Sequence, residues 1–190
     1  MKYFGITGTI GSGKSLVSKI FSILDIPIFN ADNEAKKIMI SDESVILNLK
    51  NAFGENVYKN GEINKDFLSK KIFSSEENRN LVNSIVHPVV VDYFLEWAKQ
   101  QKNKLVGIES ALIFEAGLKN FLDFIILVEC PENQQLKYIC ERDNINITKA
   151  QNIIDIQKVQ FRNQKFDYVI TNNNEKSLIE QIENCLSFYY

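Results

Sequence analysis

Eight residues near the amino end, Gly8-Thr9-Ile10-Gly11-Ser12-Gly13-Lys14-Ser15, constrain this chain more than any other feature. They fit the Walker A pattern: a glycine, four free residues, glycine, lysine and a hydroxyl residue. The context fits too. A short apolar run, Tyr3 to Thr7, precedes the loop and an amphipathic run, Lys14 to Leu24, follows it, which reads as strand, loop, helix. Gly8, Gly11 and Gly13 let the backbone bend so that consecutive N–H groups, including those around Ser12, converge on a phosphate without obstruction. The following helix points its positive end at the same anion. Lys14 is expected to reach the β and γ phosphates as a mobile point charge, and the Ser15 hydroxyl to ligate a magnesium ion bridging them. A glycine-rich tight turn with a solvated lysine explains the glycines but not the lysine and serine after them.

The rest of the chain alternates in the same way. Ile26 to Phe29 reads as a second strand and Asp32 to Ile40 as a helix; Lys104 to Glu109 and Phe124 to Glu129 are β-branched apolar runs, each expected to lead into a helical segment. Asp167 to Thr171 reads as a last strand before a closing helix. Strands alternating with helices imply an α/β fold, a parallel sheet covered on both faces. Capping boxes are expected at Ser74 with Glu77 and at Thr148 with Gln151, and Pro131 sits where a first helical residue belongs. The stretch 42–101 is helical in pattern, without a strand, and longer than a crossover needs, so it is expected to form a separate substrate-covering lobe of a single domain.

With 190 residues and 45% hydrophobic content, the chain buries a core without disulfides or a structural metal. A net charge of −2 gives no long-range attraction to nucleic acid, so none is expected as a partner. Cys130, Cys140 and Cys185 are far apart, odd in number and in no metal-like spacing with the single histidine. They read as reduced thiols of a cytoplasmic protein. Neither a signal peptide nor a membrane span is expected, and with no periodic exposed apolar seam the expected state is a monomer.

Beyond the loop, Asn30-Ala31-Asp32 follows the second strand, at the carboxyl edge of a parallel sheet, where ligands of open α/β folds bind. Asp32 reads as the group that orients an attacking hydroxyl and takes its proton, with metal-bound water as a further partner, or as an N-cap. Glu109, ending the third strand, is a candidate for the magnesium shell, and Glu115 follows in the adjacent segment. Arg142 reads either as a lid arginine closing over phosphates or as a helix-end charge satisfied by its neighbours. His87, before Pro88 on an apolar face, reads as a packing residue.

These residues together resemble the dephospho-CoA kinase family over nearly the whole chain. The match runs through Gly5-Ile6-Thr7-Gly8 with Gly11 to Ser15, Ala31-Asp32, Gly61 with Ile63-Asn64, Ile72-Phe73 and Val86-His87-Pro88. It continues through Leu112-Ile113-Phe114-Glu115, Gln135-Leu136, Arg142-Asp143, Gln157, and Asp167 to Ile170 with Asn172-Asn173. The resemblance implies a three-layer P-loop fold with a helical substrate lobe and a small lid, placed at about 138–165. It implies ATP with Mg2+, and phosphorylation of the ribose 3′-hydroxyl of dephospho-CoA. Asp32, Lys14 and Arg142 would then serve the reaction, Asp32, His87 and Glu115 the acceptor, and Ser15, Asp32 and Glu109 the metal.

Several positions depart from the family pattern: Thr9 for glycine, Asn30 for the first of two aspartates, Leu16 for threonine, Lys65 for arginine, Ala111 for proline and Tyr138 for a helix arginine. Leu16 keeps the backbone N–H that would meet an α-phosphate, whereas Lys65 cannot make an arginine's bidentate pair. The competing readings are another small-molecule P-loop kinase and a non-catalytic nucleotide switch. A GTPase is disfavoured, because Phe67 stands where a guanine-reading acid is needed after Asn64-Lys65-Asp66.

Overall fold

The computed structural model describes residues 1–189, apart from the side chains of Phe73 and Ser74. In chain order the strands are β1 (Lys2–Thr7), β2 (Ile28–Asn30), β3 (Tyr58–Lys59), β4 (Glu62–Ile63), β5 (Leu105–Glu109), β6 (Phe124–Glu129) and β7 (Tyr168–Thr171). The α-helices are α1 (Lys14–Ile23), α2 (Ala31–Ser41), α3 (Glu43–Phe53), α4 (Lys65–Ser74), α5 (Glu76–Lys99), α6 (Glu132–Asp143), α7 (Ile147–Lys158) and α8 (Leu178–Ser187). The chain divides into two compact units: Met1–Asn30 with Gln101–Tyr190, and Ala31–Gln100.

The first unit is built on a five-stranded sheet in the order β2-β5-β1-β6-β7, with every pairing parallel. Its central strand, β1, is buried from Phe4 through Thr7, so both of its faces are covered, as parallel sheets require. On one face Phe4 and Ile6 join Val17 and Phe21 of α1, Ile182 and Cys185 of α8, and Phe124 and Ile126 of β6 in a single core. Gly5 points the opposite way, and a Cβ there would run into Ile113 and Leu122. Because all strands run the same way, their carboxyl ends, and the loops that leave them, gather along one edge.

The second unit packs α2, α3 and α4 against the 24-residue α5. Three of its helix starts, those of α3, α4 and α5, are capped by side chains. Asp42 accepts from Ser44 and Val45 N–H at 3.0 and 3.1 Å, and the Ser44 hydroxyl, followed by these amides, holds its carboxyl below the ordinary range. Asn64 caps α4, and Pro88 sits inside α5.

Several expectations shift. The lobe is not strandless: Asn60 (φ 54°) and Gly61 (φ 81°) turn the chain between β3 and β4, an Asn-Gly hairpin whose signal the helical pattern around it masks. The second strand begins at Ile28 instead of Ile26, since Ile26 N–H bonds back to Phe21 O and Pro27 has no N–H to give. After β5 the chain makes turns and a 3-10 turn, Leu118–Phe121, with no α-helix before β6. Finally, Asn146 rather than Thr148 caps α7, accepting from Lys149 N–H at 2.9 Å, because asparagine is the better cap and lies three residues before that amide. The cap of α5 is Ser75, accepting from Asn78 N–H; the Ser74 side chain expected there lies outside the described residues. Pro131 occupies the cap position of α6, one residue before the helix.

Candidate active site

The loop between β1 and α1 folds as its glycines dictate. Gly11 (φ 75°) and Gly13 (φ 97°) lie in the left-handed region, where a side chain is strained. Each also lacks room: a Cβ on Gly11 would come within 2.7 Å of Ile139 Cγ1, and one on Gly13 would collide with the Asn172 amide. Gly13 is the N-cap of α1, and its carbonyl accepts from Leu16 and Val17 N–H at 3.0 and 3.1 Å, so the helix opens directly from the loop. Lys14 is buried, with 8% of its surface exposed, and its Nζ donates to Thr9 O at 3.1 Å across the loop. The Ser12 hydroxyl is buried without a hydrogen-bond partner, a polar atom that a bound phosphate would satisfy.

Beside the loop lies a carboxylate centre. Glu109 ends β5, in register with Ile6 on one side and Asn30 on the other, and is 4% exposed. Its Oε1 accepts from Ser15 Oγ at 2.7 Å and its Oε2 from Asn30 Nδ2 at 3.0 Å. Asn30 donates where an aspartate would only repel, so the departure from the family's paired acids still serves this carboxylate. A hydroxyl next to a buried carboxylate is an all-oxygen donor set of the kind a small hard cation takes while keeping several waters. Magnesium fits these residues.

The hairpin α6–α7 closes over the loop's other side. Gln135, 2% exposed, donates to Thr9 Oγ1 and to Ile10 O, the latter at 2.6 Å. Gln157 Oε1 accepts from Ile10 N–H at 2.6 Å. Asn172, just past β7, donates to Ser12 O at 3.1 Å. A cavity of about 600 Å3 opens against the same side, lined by Thr9, Leu127, Gln135, Lys158, Phe161 and Phe166. None of these anchoring roles was read from the sequence; Gln135, Gln157 and Asn172 stood there only as matching positions.

The remaining candidates are placed less directly. Asp32 is the second residue of α2, inside its first turn; the helix begins at Ala31, so the N-cap reading of Asp32 does not hold. Arg142, at the end of α6, makes a bidentate pair with Asp143, Nε to Oδ1 and Nη2 to Oδ2, both 2.8 Å. The Asp143 hydrogen bond holds the guanidinium pKa above its ordinary value, and the same bond holds the carboxyl below its own. Glu115 is exposed in the turns after β5, and His87 is half-buried midway along α5.

Comparison with known proteins agrees with this geometry. The family model for CoaE, dephospho-CoA kinase, matches residues 2–177. A dephospho-CoA kinase of Bacteroides fragilis is 33% identical over 188 residues, covering 98% of this chain and 92% of its own length. Among solved structures, TT1252 from Thermus thermophilus superposes with a TM-score of 0.79 at 25% identity, covering 99% of this chain and 95% of its own. Dephospho-CoA kinase from Campylobacter jejuni superposes with a TM-score of 0.69 at 25% identity, covering 100% and 98%. A parallel sheet with a phosphate loop at its central strand, matched over this length, places the chain in the P-loop fold and makes it a member of the dephospho-CoA kinase family.

Proposed function

We propose that this chain transfers the γ-phosphoryl group of ATP to the ribose 3′-hydroxyl of dephospho-CoA, giving coenzyme A and ADP. The observation that carries the reading is the buried bridge from Ser15 through Glu109 to Asn30, a hydroxyl and a carboxylate side by side at the phosphate loop. Magnesium bound there would neutralise charge on the phosphates. Ser15, Glu109 and Asp32 would hold it. The N–H groups from Gly11 to Leu16 cradle the phosphates, and Lys14 swings from Thr9 O to the β and γ oxygens.

Asp32 is the base: its carboxylate orients the acceptor hydroxyl and takes its proton as the oxygen attacks phosphorus. Arg142 exchanges Asp143 for phosphate oxygens as the lid, 138–165, closes. His87 and Glu115 contact the acceptor, which the lobe at 42–101 covers. The chain acts as a monomer in the cytoplasm, a setting with which three unpaired cysteines are consistent. No helix among the described residues is long and apolar enough to cross a membrane.

The test is ATP consumption with dephospho-CoA, compared with the Asp32→Asn form. Robust product from the parent and a loss of about 10²- to 10⁴-fold in kcat for the variant are expected, with ATP affinity retained. Undiminished turnover by Asp32→Asn removes the base assignment. Phosphorylation of a nucleoside but not of dephospho-CoA removes the acceptor.

A further inference from the structure

Ile10 lies in the phosphate loop, immediately before Gly11. Its side chain packs into a small cluster between α6 and α7 built on Ile139, Ala150 and Ile154. Both of its main-chain groups are also taken, each by a different helix: the N–H by Gln157 Oε1 of α7 and the C=O by Gln135 Nε2 of α6, both at 2.6 Å. Gln135 reaches Thr9 Oγ1 as well. The polarity of these bonds is forced, because an N–H needs an oxygen partner and a carbonyl needs a donor. Gln157 therefore acts through its oxygen and Gln135 through its nitrogen.

We propose that Gln135 and Gln157 are positioning residues for phosphoryl transfer, locking both faces of the Ile10 backbone so that the N–H groups after it converge on the triphosphate. The proposal rests on the phosphotransfer reading for its kinetic test. Neither side chain touches a reacting atom; each acts through the loop. The same contacts set the loop-facing parts of α6 and α7 against the phosphate loop.

The test uses four variants of the full chain: Gln157→Leu, Gln157→Glu, Gln135→Leu and Gln135→Glu. A glutamate at 157 still accepts from Ile10 N–H, whereas a glutamate at 135 cannot donate to Ile10 O. Both Leu variants and Gln135→Glu are expected to lose about 10- to 100-fold in kcat/KM for ATP, with KM for dephospho-CoA unchanged. Gln157→Glu is expected to keep most of the parent's value. Equal loss for Glu and Leu at 157, unchanged kinetics in all four, or a parallel rise in both KM values overturns the proposal. Where a Leu variant does not fold, Gln157→Asn and Gln135→Asn, each one methylene short of its partner, replace it with the same expected loss. If the parent binds ATP but leaves dephospho-CoA untouched, the acceptor reading has failed alone. Calorimetric ATP affinities of the same variants then decide this proposal by the same crossed pattern.

Discussion

On the α1–α8 side of the sheet, rings and aliphatic side chains fill the space: Phe4 lies 5.0 Å from Phe21 and 5.1 Å from Phe124, and Phe124 stacks on Tyr189 at 3.6 Å. On the α6–α7 side stand a three-residue buried apolar cluster, the edge-to-face rings of Phe114, Phe161 and Phe166 and a cavity of about 600 Å3, and glutamine side chains bond directly to the loop. Gln160 extends the pattern, donating to Ala111 O at 2.6 Å while its own carbonyl oxygen is buried without a partner. Apolar packing is strong but indifferent to direction, whereas an amide bond fixes which way a peptide faces. Nondirectional packing backs the phosphate loop on the α1–α8 side, and directed glutamine hydrogen bonds hold it on the α6–α7 side.

The largest effect that would break this contrast belongs to the apolar side. Phe4→Ala, at a fully buried position, should destabilise the protein by about 3–5 kcal/mol in chemical denaturation, while the fraction still folded binds ATP as before. A change in ATP affinity of the folded fraction would merge the two roles. Lys14→Ala should do the reverse: turnover falls by about 10²- to 10³-fold or more, and the denaturation midpoint hardly moves. Near-normal turnover would remove Lys14 from the phosphate site.

How much of this was legible in the sequence depended on distance along the chain. The phosphate loop is eight consecutive residues with their context attached, so both its conformation and its ligand could be read. The Asn30–Glu109 bond spans 79 residues and exists because β2 and β5 are in register, which no local pattern states. Gln135 and Gln157 lie on helices rich in polar residues and look like surface until the loop is laid against them. Asn60-Gly61 was a readable turn, but two-residue strands are too short to interrupt a helical pattern. Asp32 was located correctly after β2 but assigned one alternative role, the cap, that the helix start at Ala31 excludes.

A smaller effect sharpens the same contrast through pH. Burial pushes the Cys185 thiol from an ordinary 9.0 up to about 12, and Tyr168 and Tyr189 are raised by burial too. Between pH 9 and 12 the folded chain keeps a Cys185 proton that the unfolded chain releases, so stability falls as pH rises through that window. Denaturation midpoints should decline there, less steeply in Cys185→Ala; equal slopes would deny the thiol its share. Smallest of all, Asp143→Asn should shift stability by less than about 1 kcal/mol, since the Arg142–Asp143 pair is largely solvated. A larger shift would mean that the hairpin's end, too, is structural.

The register of β1 has a consequence for the order in which the molecule comes into being. Lys2 pairs with Leu105 and Thr7 with Leu127, so the strand that backs the phosphate loop finds neither neighbour until well over half of the chain has left the ribosome. Closure of such separated segments is slow, and until then the whole motif is present as letters without a platform. A nascent chain halted at residue 100 should therefore take up no nucleotide, and one extended past β6 is the earliest with both flanking strands in place.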